Sequence, residues 1–247
     1  PEKRKEVFSA VAKINAGRVT LIGHVGSTST ETSVELAKFV TDHGYDAVSA
    51  VAPYYYSYVY DAVKQYYYDI AEASGAPLII YNYPLSGSSN LTPQKAQDLL
   101  QNEKIIGIKH TSQDLYMISR FKELEHPPIV YNGYDEMLAG GWTMGADGGI
   151  GSTYNFMPHR IVALYRAFQR GDLKETMRLQ TEVNKIISAI IDEAGRCGVM
   201  NCEKWVLTYM GIPMGECKRP FLSAGEEEKS KMREIAGILS EEVSACL

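Results

Sequence analysis

The sequence has no long hydrophobic run. No apolar stretch approaches the roughly 18 residues that a bilayer-spanning helix needs. The opening segment, "PEKRKEVFSA", lacks the apolar core of a signal peptide. Basic clusters are missing as well, and a net charge of −5 argues against a nucleic-acid surface. Cysteine is scarce: Cys197, Cys202, Cys217 and Cys246 fall late and irregularly, in no zinc-binding pattern, which points to reduced thiols in a cytoplasmic setting. Tyrosine is abundant instead. Several of the 17 tyrosines crowd into "PYYYSYVYDAVKQYYYDI" (53–70). A chain of 247 residues, 45% hydrophobic, is long enough to bury a sizeable core.

Short apolar runs alternate with amphipathic stretches. The runs "VTLIGHVG" (19–26), "AVSAVAPYY" (47–55), "PLIIYNYP" (77–84), "IIGIKHTS" (105–112), "PPIVYNGYDE" (127–136) and "ADGGIGSTYN" (146–155) read as buried strands. Between them, residues 30–44, 60–75, 92–101, 114–124 and 135–145 read as helices. Strands poor in polar residues, each followed by a helix, imply a parallel sheet covered by helices. Connections are short and no linker interrupts them, so the chain reads as a single domain, 1–247. Residues 1–156 form the βα array. From 157 to 247 the pattern is purely helical, with Gly171 ending one helix and Asp172 capping the next.

In such an array the functional groups gather at the C-terminal ends of the strands. Those ends carry His24; Tyr54 and Tyr55; Tyr81 and Asn82; Lys109, His110 and Thr111; Tyr134, Asp135 and Glu136; Ser152 and Thr153. A lysine closing the apolar run Ile105–Ile108 stands out, because an ammonium is costly to desolvate. Lysine at such a place suits covalent catalysis through a Schiff base, in which a free amine condenses with a ketone and the iminium becomes an electron sink. The amine must be neutral to attack, and at an ordinary lysine pKa of about 10.4 only roughly one in a few thousand is neutral at pH 7. Plainer readings stand beside this one. A lysine at a strand end usually reaches water along its stem, Tyr81 alone suits a core phenol, and His24 and His110 suit packing or hydrogen bonding. Asp135 and Glu136 suit a helix start, and Tyr54–Tyr56 an interface or a core. "GGIGST" (148–153) fits either a phosphate-binding turn or a close-packed strand.

The ordered set "YNYP", "IKHTSQDLY", "YNGYDE", "ADGGIGSTYN" and "CKRPF" (217–221) resembles the family of pyruvate-dependent aldolases that contains N-acetylneuraminate lyase and dihydrodipicolinate synthase. The resemblance spans essentially the whole chain. It implies a (β/α)8 TIM barrel with a C-terminal helical extension, no metal, and no dissociable cofactor beyond the covalent Schiff base with pyruvate. It also implies a cytoplasmic homotetramer whose interface includes the tyrosine-rich 53–68 stretch. The family's roles carry over position by position: Lys109 as the Schiff-base amine, Tyr81 as the proton shuttle, Tyr54 as the tyrosine lent to a neighbouring subunit. Thr111, Gly133, Asp135, Glu136 and Ser152 match positions that bind the polyhydroxylated sugar chain.

Two features place the chain on the sialic-acid branch. "YNYPLSGSSN" lacks the arginine that dihydrodipicolinate synthase uses to hold a substrate carboxylate, and "YNGYDE" offers an acidic pair suited to hydroxyls. The implied reaction is reversible cleavage of N-acetylneuraminate to pyruvate and N-acetylmannosamine. The alternatives are another pyruvate-dependent aldolase of the same family and a non-catalytic pyruvate-binding relative. Tyr83, and "LSGSS" after Pro84, depart from the family pattern and are expected to reshape the pocket. Only six strands are legible, and the first helix resembles the one after the second barrel strand. The first two βα units, with the "GGSTGE"-like turn that grips the pyruvate carboxylate, are therefore expected to be absent from this chain, most simply because the full protein is longer. "GSTST" (26–30) is read as an unrelated echo of that turn.

Overall fold

The computed structural model describes residues 1–84 and 90–246. The departure at "LSGSS" (85–89) lies outside the described residues. The order of elements is α1 (Glu2–Asn15), β1 (Ile22–His24), α2 (Thr30–Asp42), β2 (Ala47–Val51), α3 (Tyr60–Ser74), β3 (Leu78–Asn82), α4 (Pro93–Leu99), β4 (Ile105–His110), α5 (Tyr116–Lys122), β5 (Ile129–Asn132), α6 (Leu138–Thr143), β6 (Gly148–Gly149), then α7 (Pro158–Gln169), α8 (Leu173–Glu193), α9 (Val199–Tyr209) and α10 (Glu226–Cys246). Short 3-10 turns precede α6 and α7, at Asp135–Met137 and Thr153–Asn155. The residues group into two compact units. The first holds Pro1–Tyr134 and Gly140–Gly149; the second holds Asp135–Ala139 and the described residues from 150 onward.

Among the described residues, the first unit contains the whole sheet. Six strands pair in sequence order, β1 to β6, all parallel. Local chemistry sets the helix limits. Ser29 caps α2 by accepting from the backbone N–H of Thr32 at 3.2 Å, so the second serine of "GSTST" serves as a helix cap. Thr92 caps α4 ahead of Pro93, and Gly75, at φ 69°, ends α3 in the left-handed conformation that glycine adopts without penalty. On one side of the sheet the fully buried Ile80 and Ile108 pack with Leu36, Val40, Ile70, Ile118, Phe121 and Val130. Truncating either isoleucine to alanine would cost about 2–5 kcal/mol. Tyr66 and Tyr67 are part of this core, whereas Tyr54, Tyr55, Tyr56 and Tyr58 are exposed. The 53–68 stretch is therefore not one surface. Helical periodicity turns its second half inward.

Several elements are shorter than the sequence patterns suggest. β2 stops at Val51, which leaves Tyr54 in the following loop, and β5 stops at Asn132, which leaves Asp135 and Glu136 in a 3-10 turn. β6 is the glycine pair alone; a Cβ at Gly148 would come within 3.2 Å of the Tyr131 ring on the neighbouring strand.

The second unit is helical. Phe156, Met157, Val183, Ile187, Ile190, Cys202, Val206, Met232 and Leu239 lie in its core. Asp172 caps α8 by accepting from the N–H of Glu175 at 3.0 Å, directly after Gly171 at φ 70°. Asn201, fully buried on α9, donates to the carbonyl of Leu222 at 2.8 Å and accepts from the N–H of Cys217 at 2.7 Å, which ties down both ends of the "CKRPF" loop.

Candidate active site

Register decides what lies together in the first unit. The parallel pairing sets Val51 opposite Tyr81, Tyr81 opposite Lys109, Lys109 opposite Tyr131 and Tyr131 opposite Gly148. Residues in register on adjacent parallel strands project to the same face. The flanking Ile80 and Ile108 point to the opposite, fully buried face. Lys109 Nζ lies 4.3 Å from the centre of the Tyr81 ring, within cation–π range. The amine is thus held against the phenol rather than extended along the surface.

Tyr81 is itself framed by two rings. His24 meets it edge-on at 5.8 Å, and Tyr83 stacks beside it at 6.0 Å. His24 Nδ1 lies 3.1 Å from Ser49 Oγ. Burial, reinforced by the positive charges of Arg4 and Lys109, pushes the His24 pKa down to about 4, so this imidazole is neutral at pH 7. Arg4 donates to the carbonyl oxygens of His24 and Gly26. It borders a cavity of about 490 Å³ with His24, Val51, Phe8 and Tyr54. Tyr54 is 45% exposed at this place.

His110 takes the plainer of its two readings. It is buried, with Nδ1 accepting from Asn82 Nδ2 at 2.8 Å and Nε2 donating to the carbonyl of Asp114 at 3.0 Å. Burial lowers its pKa. Thr111 is 7% exposed, and its hydroxyl has no hydrogen-bond partner among the described residues. Gly133 rests directly on it: a Cβ at 133 would fall 1.8 Å from Thr111 Oγ1. The Gly133 N–H donates to the carbonyl of His110 at 2.9 Å.

In the second unit Asp135 is buried, and its Oδ2 accepts from both the N–H and the hydroxyl of Thr153, at 2.9 and 2.6 Å. The carboxylate therefore fastens the turn that carries Ser152. Gly151 lies so close that a Cβ there would sit 1.5 Å from Asp135 Oδ1. "GGIGST" thus divides into a close-packed strand at Gly148–Gly149 and an anchored turn at 150–153. Glu136 is half-buried, and its carbonyl accepts from Asn184 Nδ2 at 3.1 Å. Burial, with the charges of Asp135 and Glu136, raises the pKa of the Tyr154 phenol. Ser152 is exposed, and its hydroxyl donates to Glu203 Oε1 at 2.7 Å. Glu203, on α9, is not among the residues the sequence motifs single out. A glutamate in a helix ordinarily faces water, and no spacing in the sequence marks this one as buried.

The profile of the dihydrodipicolinate synthetase family matches residues 1–239. The chain belongs to this family. Among relatives of the dihydrodipicolinate synthetase family, an N-acetylneuraminate lyase of Rhizobium meliloti is 40% identical over 240 residues, which is 97% of this chain and 79% of that protein. Two solved structures are similar throughout. A Ruminococcus gnavus sialic acid aldolase, studied as a catalytic lysine mutant, superposes with a TM-score of 0.93 at 29% identity, over all of this chain and 81% of its own. An N-acetylneuraminate lyase from Fusobacterium nucleatum complexed with pyruvate superposes with a TM-score of 0.88 at 31% identity, over 95% of this chain and 78% of its own. The TIM-barrel fold of the family accounts for the parallel βα succession seen here.

Proposed function

We propose that this protein is a class I aldolase that reversibly cleaves N-acetylneuraminate to pyruvate and N-acetylmannosamine. The observation that carries the reading is the Lys109 amine set 4.3 Å from the face of Tyr81, at registered ends of β3 and β4. The relatives named for this reaction, and the catalytic lysine and the pyruvate named for two of the structures, support it.

In this mechanism the neutral Lys109 amine adds to the pyruvate ketone. Loss of water leaves an iminium. In the cleavage direction Tyr81, having given its phenol proton to the hydroxide that leaves as water, takes the proton from the substrate hydroxyl next to the scissile bond. The carbon–carbon bond breaks, its electron pair enters the iminium as an enamine, and the aldehyde departs. Protonation of the enamine and hydrolysis return pyruvate and the free amine. No metal or dissociable cofactor is required. The orphan Thr111 hydroxyl, backed by Gly133, supports a ligand-binding role in the first unit. We assign Glu136 and Ser152 to the sugar hydroxyls, and Asp135 to holding the turn. We read the six strands as the third to eighth of a (β/α)8 barrel, and the protein as a cytoplasmic homotetramer in which the exposed Tyr54 is offered to a neighbouring subunit.

Borohydride reduction in the presence of pyruvate tests the reading. A stable adduct on the peptide containing Lys109 is expected, and Lys109→Ala should abolish it. A folded protein that gives no adduct, or one trapped at another lysine, would refute the assignment.

A further inference from the structure

Glu203 belongs to a helix whose role the motifs leave unassigned. It is 4% exposed on α9, with the buried Asn201, Cys202, Val206 and Leu207 around it in the sequence. A carboxylate removed from water is costly unless its oxygens are satisfied. Here Oε1 receives the proton of the exposed Ser152 hydroxyl at 2.7 Å.

We propose that Glu203 is a positioning and specificity-determining residue, which fixes the Ser152 hydroxyl as a hydrogen-bond acceptor and so selects ligand groups that donate. A serine hydroxyl has one proton and two lone pairs. With the proton committed to a buried carboxylate, only the lone pairs face outward. They accept from the O–H or N–H of a polyhydroxylated or acetamido chain. They repel an ether or carboxylate oxygen presented at the same place. The Asp135–Thr153 bonds fix the same turn from its other side. Burial raises the Glu203 pKa, and the nearby charge of Asp135 adds to this, while the Ser152 bond opposes it.

This inference rests on the aldolase reading and deepens it. The test measures steady-state addition of pyruvate to N-acetylmannosamine, with borohydride trapping of pyruvate alongside. Losing one oriented hydrogen bond should raise KM for N-acetylmannosamine roughly 3- to 10-fold in Glu203→Leu, with kcat little changed. Trapping at Lys109 and KM for pyruvate should not move. Glu203→Gln retains a carbonyl acceptor and should restore the wild-type KM to within about twofold. Ser152→Ala should match Glu203→Leu, and the double variant should be no worse than either single one. If Glu203→Leu loses its helical circular dichroism, the Glu203→Gln and Ser152→Ala pair makes the same comparison. Normal trapping with an unmoved KM in Glu203→Leu or Ser152→Ala overturns this inference alone, as does a Gln variant that behaves like Leu. Absent trapping in the wild type overturns the aldolase reading and this inference together.

Discussion

Gly151→Ala offers a sharp test of the packed turn at 150–153. The three atoms nearest to the added methyl would all belong to Asp135: Oδ1 at 1.5 Å, Cγ at 2.2 Å and Oδ2 at 2.6 Å. The carboxylate must then leave its place and release the N–H and hydroxyl of Thr153. Each bond to a charged acceptor is worth about 1.5–3 kcal/mol, so the direct loss is about 3–6 kcal/mol. Replacing glycine also narrows the unfolded ensemble, which returns about 0.4–1 kcal/mol. The net destabilisation is about 2–6 kcal/mol, a large share of the 5–15 kcal/mol typical of folded domains. Urea unfolding followed by far-UV circular dichroism measures it. Asp135→Ala should cost a similar amount by removing the same bonds. On that background Gly151→Ala should add less than about 1 kcal/mol, because the obstructing carboxylate is already gone. A loss below about 1 kcal/mol in the single variant, or strict additivity in the double, would refute the account.

Acid sensitivity is expected from His24. Its folded pKa of about 4 lies below the ordinary 6.5. The unfolded chain therefore binds the proton first, and stability falls as pH drops from about 6.5 to 4, by up to about 3 kcal/mol. In His24→Gln that part of the pH dependence should vanish when unfolding free energies at pH 7.5 and 4.5 are compared; an unchanged difference would show that His24 is not buried neutral. Gly133→Ala should destabilise the first unit by about 1–3 kcal/mol, since its methyl meets Thr111 Oγ1, Cβ and Cα at 1.8, 2.8 and 2.9 Å and one of these is backbone. A melting temperature equal to wild type would contradict that packing.

The βα succession was legible because apolar runs of strand length alternate with helical periodicity, and each run contains an observed strand. Strand ends were less legible. "AVSAVAPYY" continues apolar past Val51, yet pairing stops there and Tyr54 falls in a loop. Lys109 and Tyr81 both stand near legible strand ends, but their proximity depends on the β3–β4 register, which includes an irregularity between Leu78 and Ile79. No local pattern encodes that. The tyrosine run was misleading as a block, because composition does not separate the exposed Tyr54–Tyr56 from the buried Tyr66 and Tyr67. Glu203 was silent for a related reason. Burial of a single charge within a helix is decided by what packs against it, and the partner that matters lies 51 residues away.

Ser152 and Glu203 lie 51 residues apart in the chain yet share one hydrogen bond. A change at either position is therefore felt at the other. Two such positions are expected to drift as a couple rather than singly when related sequences diverge.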